Sequence, residues 1–492
     1  KRYLFPLLDA DGNEVTYRPG MDISVLHADP RYQPIHKSNK ATPYTFASGG
    51  TLFGHYYQRS QTAEIRFDIT SQVTNQHEVK VGGKFKNDLM EFEDFTVQRD
   101  TLTYLTPTIL SPESPAHDLY SKEPIQFSAY AQDKMEFASM IINAGIRYDY
   151  FNSRSEYLPN TYAPLSDTAM AEPKNTFSPR LGISFPITDE GILHFSYGHF
   201  YQLPPYNFLY TNPTFEDNVA VPTFGNANLK PEKTVTYEIG LQQQLTEDLA
   251  FNVTGFYKDV RDLLALQQIR VSSSFSYYTY VNQDYGNIQG ITFSLTKRKM
   301  PGTLFGLSLD YTFQVAEGNE VNATAFFLDA ASGRQSEKIP VPLAWDQQHT
   351  LNGVISFGED RNWLFTLVGN ISTGLPYTPL IYDKQIYLES NSERKPLQTN
   401  VDLLIEKSFD LSDIVLTAFL KVYNLFDTKN ENFVYDDTGR ATYTLQSGRS
   451  GPEATNELAA TNPGIKSADE YFVRPQYYSS PREVRLGFMM EF

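Results

Sequence analysis

Cysteine is absent from the 492 residues, tryptophan occurs only twice, and no apolar run approaches the ~18 residues that a membrane-crossing helix needs. The missing cysteine suits an oxidising envelope, where an unpaired thiol is a liability. The missing apolar runs exclude a helical membrane protein, so any crossing is made by closed sheet. Positive charge is in deficit, and the net charge of −17 argues against nucleic acid as a partner. Catalytic signatures are missing too: there is no Gly-x-Ser-x-Gly elbow, phosphate loop or His-Glu-x-x-His. The eight histidines are scattered; His194 and His199, five apart on one strand, fall on opposite faces and cannot share a metal. Asp9-x-Asp11-x-Asn13 opens like a calcium loop, but Glu14 stands where the sharp turn needs Gly and Gly20 where a bidentate Glu belongs, so it reads as a turn. No enzyme, metal or cofactor is expected.

What the chain does have is alternation. In the last ten residues, Val484, Leu486, Phe488, Met490 and Phe492 share one strand face and Glu483, Arg485, Gly487, Met489 and Glu491 the other. The pattern recurs from Phe305 (Leu307, Leu309, Tyr311, Phe313 against Gly306, Ser308, Asp310, Thr312), from Val235 and from Val401. Its length is about the ~9 to 11 residues of a tilted bilayer-crossing strand. The polar face is often charged, as a wet lumen allows. Inward carboxylates such as Glu238, Asp310 and Asp402 read as lumen wall, not as an acid/base pair. Abundant tyrosine (33) and phenylalanine (34) suit interfacial girdles.

From about residue 124, short connections alternate with long ones near 153–177, 203–233, 264–285, 317–346, 376–397 and 427–482. This predicts an all-β, antiparallel up-and-down transmembrane barrel of the outer-membrane type. Short turns and the C-terminus would face the periplasm and the long loops the cell exterior. Roughly sixteen spanning strands are expected between about residue 44 and the end, so residues 1–492 read as one barrel domain.

Several segments resemble a known family. Asn226-Ala227-Asn228-Leu229-Lys230-Pro231-Glu232-Lys233, leading into Thr234 to Leu241, is similar to the "NPxLKPEKs.sYEiGl" segment of TonB-dependent outer-membrane receptors. Val422 to Asp427 resembles their "v.NLFD", Phe177 to Gly182 their "SPRlG" strand start, and Phe492 their outer-membrane insertion signal. Val434 to Arg440 is similar in style to members from the Bacteroidetes. The resemblance implies a 22-strand barrel closed by an N-terminal plug, importing a scarce nutrient of siderophore, glycan, peptide or vitamin class with energy from an inner-membrane complex. Plug, coupling box and the first strands find no counterpart in these residues, so the chain is expected to be the later part of a receptor. The sequence opens at Lys1 with neither an initiator methionine nor the charged-then-apolar start of a secretory signal, as expected of a processed chain or of part of a longer protein.

Pro231 is expected to start a strand, with Lys230, Glu232 and Lys233 solvated at the interface. Asn424 and Asp427 are expected to cap backbone groups at a loop mouth. Candidate ligand-binding residues are the loop aromatics Tyr206, Phe208 and Tyr210 on one long loop and Tyr277, Tyr278 and Tyr280 on the next, since exposed rings suit sugars, peptides and aromatic chelates. The same rings could instead form the upper girdle or pack loop on loop. Partners implied are outer-membrane lipid, the coupling complex, and a surface lipoprotein or envelope assembly. The alternatives to an energised transporter are a scaffold barrel and a passive porin.

Overall fold

The computed structural model describes residues 7–8, 14–15, 54–97, 109–112, 117–162, 167–212, 223–272, 275–319, 340–359, 362–381, 386–411, 414–446 and 472–491. Fifteen long strands dominate: β1 Gly54–Thr74, β2 His77–Thr96, β3 Ile125–Phe137, β4 Met140–Asn152, β5 Lys174–Pro186, β6 Gly191–Gln202, β7 Glu232–Gln244, β8 Leu249–Arg270, β9 Ser276–Lys297, β10 Phe305–Gly318, β11 His349–Glu359, β12 Trp363–Ser372, β13 Gln398–Leu411, β14 Ile414–Tyr423 and β15 Glu483–Glu491. Each pairs antiparallel with the next. The sheet winds as a barrel wall whose terminal strands are β15 and β1. An even number of antiparallel steps separates these two strands, so they run in the same direction. Among the described residues, no residue-by-residue ladder joins them, whereas every other neighbouring pair has one. Residues 44–53, the start of the span over which roughly sixteen strands were expected, and Phe492 lie outside the described residues.

The wall is inverted relative to a soluble barrel. Ile65, Phe85 and Phe127 stand in one cross-strand row, and Phe357, Phe365, Ile405, Leu420 and Leu486 in another. Ile65 and Leu486 are each 73% exposed and Phe488 is 68% exposed. An apolar surface of this extent is stable only against hydrocarbon. The opposite face carries rows such as Lys84, Ser128, Asp149 and Thr176, matched strand to strand. Among the described residues, no helix is long and apolar enough to cross a membrane.

The tight turns lie at one end and the long connections at the other, as the sequence indicates, with one exception. One expected loop is not a loop: residues 264–285 continue β8 and β9, each 22 residues long, into a hairpin that closes only at Arg270 and Ser276. At ~3.3 Å per residue these strands run to about 70 Å, far more than a bilayer needs. The alternation criterion missed this because a bulge between Val260 and Leu264, with Asp262 at φ 59°, shifts the phase of the pattern. Above that bulge the hairpin stands clear of the apolar belt.

Candidate ligand site at the long-loop end

The connection from β6 to β7 folds inward as a cap. Pro205 presets the backbone for a single helical turn, α1 (Tyr206–Tyr210), and Asn212 at φ 43° ends it. The returning chain lies against α1: Gly225 N–H donates to Thr211 O (2.7 Å) and Asn226 N–H to Phe208 O (2.9 Å). A β-carbon on Gly225 would come 2.7 Å from Thr211 N, so only glycine fits there.

Three of the six candidate aromatics lie on α1 and three on β9 packed against this cap, but they are not the exposed rings expected from the sequence. Tyr210 is fully buried and donates to Ser153 O (2.8 Å); Tyr277 is fully buried and donates to Thr161 O (2.6 Å). Phe208 stacks on Tyr280, with centroids 4.3 Å apart. Tyr206 is half-buried, donates to Asp88 Oδ2 (2.8 Å) and accepts from Gln126 Nε2 (2.8 Å). Tyr278 sits in β9 opposite Gln268 and beside Thr223. One apolar core joins Leu209, Tyr210, Leu229, Tyr120 and Phe151; a second joins Phe224, Ile269 and Tyr277. A ring that buries its area and satisfies its hydroxyl on backbone is a packing element. Burial pushes the Tyr277 hydroxyl up to about 12, with Tyr162 adding to the shift, and raises Tyr206 and Tyr210 as well.

Residues 8–425 match the family model described as TonB dependent receptor-like, beta-barrel. The chain belongs to that family. Among solved structures it resembles the outer membrane transporter YddB from Escherichia coli (14% identity, TM-score 0.55, covering 76% of this chain and 51% of that one). It also resembles the ferric citrate transporter FecA in its unliganded form (15%, 0.52, 89% and 54%) and the copper transporter OprC (12%, 0.52, 88% and 56%). The chain thus spans about half the length of the structures it resembles. No curated protein sequence matches it.

The motifs that resemble this TonB-dependent receptor family do structural work. In Asn226 to Lys233, Leu229 is buried, Asn226 Nδ2 donates to Tyr280 O (2.9 Å), and Leu264 N–H donates to Glu232 (3.1 Å). Glu232 therefore holds the β8 bulge and is half-buried rather than freely solvated, while Lys230 is exposed as expected. Asn424 and Asp427 cap as expected, both with positive φ: Asn424 Oδ1 accepts Thr428 N–H (2.8 Å) and Asp427 Oδ1 accepts Arg482 N–H (2.8 Å). His194 and His199 lie on opposite faces. Glu238 accepts from Ser196 Oγ (2.9 Å) and Asp402 from Asn424 N–H (2.8 Å), so the inward carboxylates brace the wall separately.

Below α1, the inner wall from β2 to β6 encloses a cavity of about 330 Å³, with Leu203 and Pro231 at its upper end. None of its polar lining was read from the sequence as a ligand site. The available signal was the inward register of Arg147 and Arg180, the latter inside the Ser178-Pro179-Arg180 segment.

Proposed function

We propose that the chain is the barrel portion of an outer-membrane receptor that imports a scarce nutrient, with its long loops at the cell surface and its C-terminus in the periplasm. The observation that carries this reading is a family-matched barrel with an apolar outer wall, a polar interior and, among the described residues, a folded aromatic cap at one end. A scaffold has no need of a cavity beneath such a cap, and a passive porin would be throttled by it. The cargo is of the siderophore, glycan, peptide or vitamin class. Tyr206, Phe208, Tyr278 and Tyr280, the half-buried members of the cap, are the rings it meets first.

Energy reaches the receptor from an inner-membrane complex through a plug and early strands that precede this portion. The coverage of about half of each solved relative supports that division, as does the shared direction of β1 and β15, which an antiparallel seam could accommodate only with further strands between them. A surface lipoprotein or envelope assembly is the partner class that the long loops suit. The test is uptake by cells expressing the full gene, with the inner-membrane proton gradient intact or collapsed. Import that stops with the gradient supports the proposal. Import that persists, together with ion conductance in planar bilayers, makes the protein a porin; absence of import with stable recovery of an envelope complex makes it a scaffold.

A further inference from the structure

We propose that the cavity under α1 binds a small polyanion, a molecule presenting several carboxylate or phosphate oxygens. This deepens the import reading and rests on it. Four cations (Lys84, Arg147, Lys174 and Arg180) and one carboxylate, Asp149, line the space. Asp149 is already occupied: Arg147 holds it through Nε and Nη2 at 2.7–2.9 Å. Lys84 reaches Glu64 only at 3.9 Å, Lys174 bonds the neutral amide of Asn228, and Arg180 lies over the Phe200 ring at 4.7 Å. Among the described residues, neither Lys174 nor Arg180 has a carboxylate within ion-pair distance.

On the neighbouring strands of the same inner wall, other cations are matched: Lys86 pairs with Asp88 (2.8 Å), Lys80 with Glu78 (3.0 Å), Arg66 with Asp68 (2.5 Å) and Lys134 with Glu136. The cations of the cavity are less fully matched than these neighbours. Like charges gathered in a partly enclosed space repel one another, and an anion relieves that cost. The space is also kept open. Gly145 and Gly198 stand opposite Arg180 on both neighbouring strands, and a β-carbon at Gly198 would press on Phe200 at 3.0 Å. With no side chain on either side, the Arg180 fork has room to meet two oxygens of one carboxylate or phosphate group.

The experiment is calorimetric titration of the full-length protein in detergent with citrate and with pyrophosphate, using maltose as the neutral control. Saturable binding of either anion but not of maltose is expected, weakened roughly tenfold or more by Lys174→Gln with Arg180→Gln and less by Arg180→Lys. The tighter of the two anions identifies the oxygen type. Heat-modifiable migration of each variant confirms a folded barrel. Absence of saturable anion binding by the folded protein overturns the proposal, as does binding unchanged in the double variant. Resistance of Lys174 to acylation with no anion present also overturns it, because an acidic stretch of polypeptide would then fill the cavity. Anion binding that survives while cellular import fails would refute the transport reading and leave this site standing.

Discussion

Asn282 grips Lys230 by both backbone groups: its Oδ1 accepts the Lys230 N–H at 2.8 Å and its Nδ2 donates to the Lys230 carbonyl at 3.0 Å. The second Nδ2 hydrogen goes to Asp262 O (2.9 Å) at the β8 bulge, so one carboxamide ties the β6–β7 cap to the tall hairpin. Replacing Asn282 by Ala should leave those backbone groups unpaired at a local cost of about 1–3 kcal/mol. Limited proteolysis should then cut between residues 203 and 231 faster than in the parent protein, while heat-modifiable migration of the barrel stays unchanged.

The outward register of β10 makes a paired prediction. Leu309 faces outward between Leu295 and Gly353, and Ser308 faces inward beside Thr296. An arginine at position 309 should cost ~2–4 kcal/mol at mid-depth and lower the folded yield in outer-membrane fractions, whereas Ser308→Arg should assemble normally. Equal yields would refute the assigned face.

The buried tyrosines predict an alkaline limit. The Tyr277 hydroxyl titrates higher in the folded cap than its ordinary value of 10.0. Its contribution is therefore complete below pH 10 and is lost as the pH rises from 10 to about 12. Ultraviolet difference absorbance should show tyrosinate appearing together with new protease sites near Thr161. Tyr277→Phe, which leaves that carbonyl unpaired, should loosen the same site at neutral pH by about 1–2 kcal/mol.

An acid limit lies in the last long loop. Burial pushes the Glu431 carboxyl up, but bonds from Arg440 (Nε 3.0 Å, Nη2 2.5 Å) and from the Ala441 N–H outweigh it and hold the group below its ordinary 4.5. This support is present above pH 4.5 and is lost as the pH falls through the lower, folded value. Protease sensitivity between residues 424 and 446 should rise on acidification, and Glu431→Gln should show raised sensitivity already at neutral pH.

Strand identity and facing were legible in the sequence because period-two alternation needs no tertiary information: Leu309 and Leu486 face outward as read. The tall hairpin was not, since a single bulge at Asp262 broke the phase and left residues 264–285 looking like a loop. The aromatic cap was half legible. Tyr206 to Tyr210 were recognisable as a cluster, but their burial depends on Tyr120, Phe151 and Leu229 from distant strands and loops. The cavity was not legible, because Lys84, Arg147, Lys174 and Arg180 converge only through the register of four strands, β2 to β5.

Surface loops ordinarily drift independently of one another, each free to lengthen or change composition. Tyr210 reaching the Ser153 carbonyl and Tyr277 reaching that of Thr161 remove this freedom. Three segments at the long-loop end of this barrel form one inheritance unit: a length change in the first displaces the carbonyls that the other two need, and a change in either of those moves the tyrosine that reaches it. Related chains should therefore exchange residues 153–161, 206–229 and 263–284 as a set, and chimeras that graft one without the others should fail to close the cap.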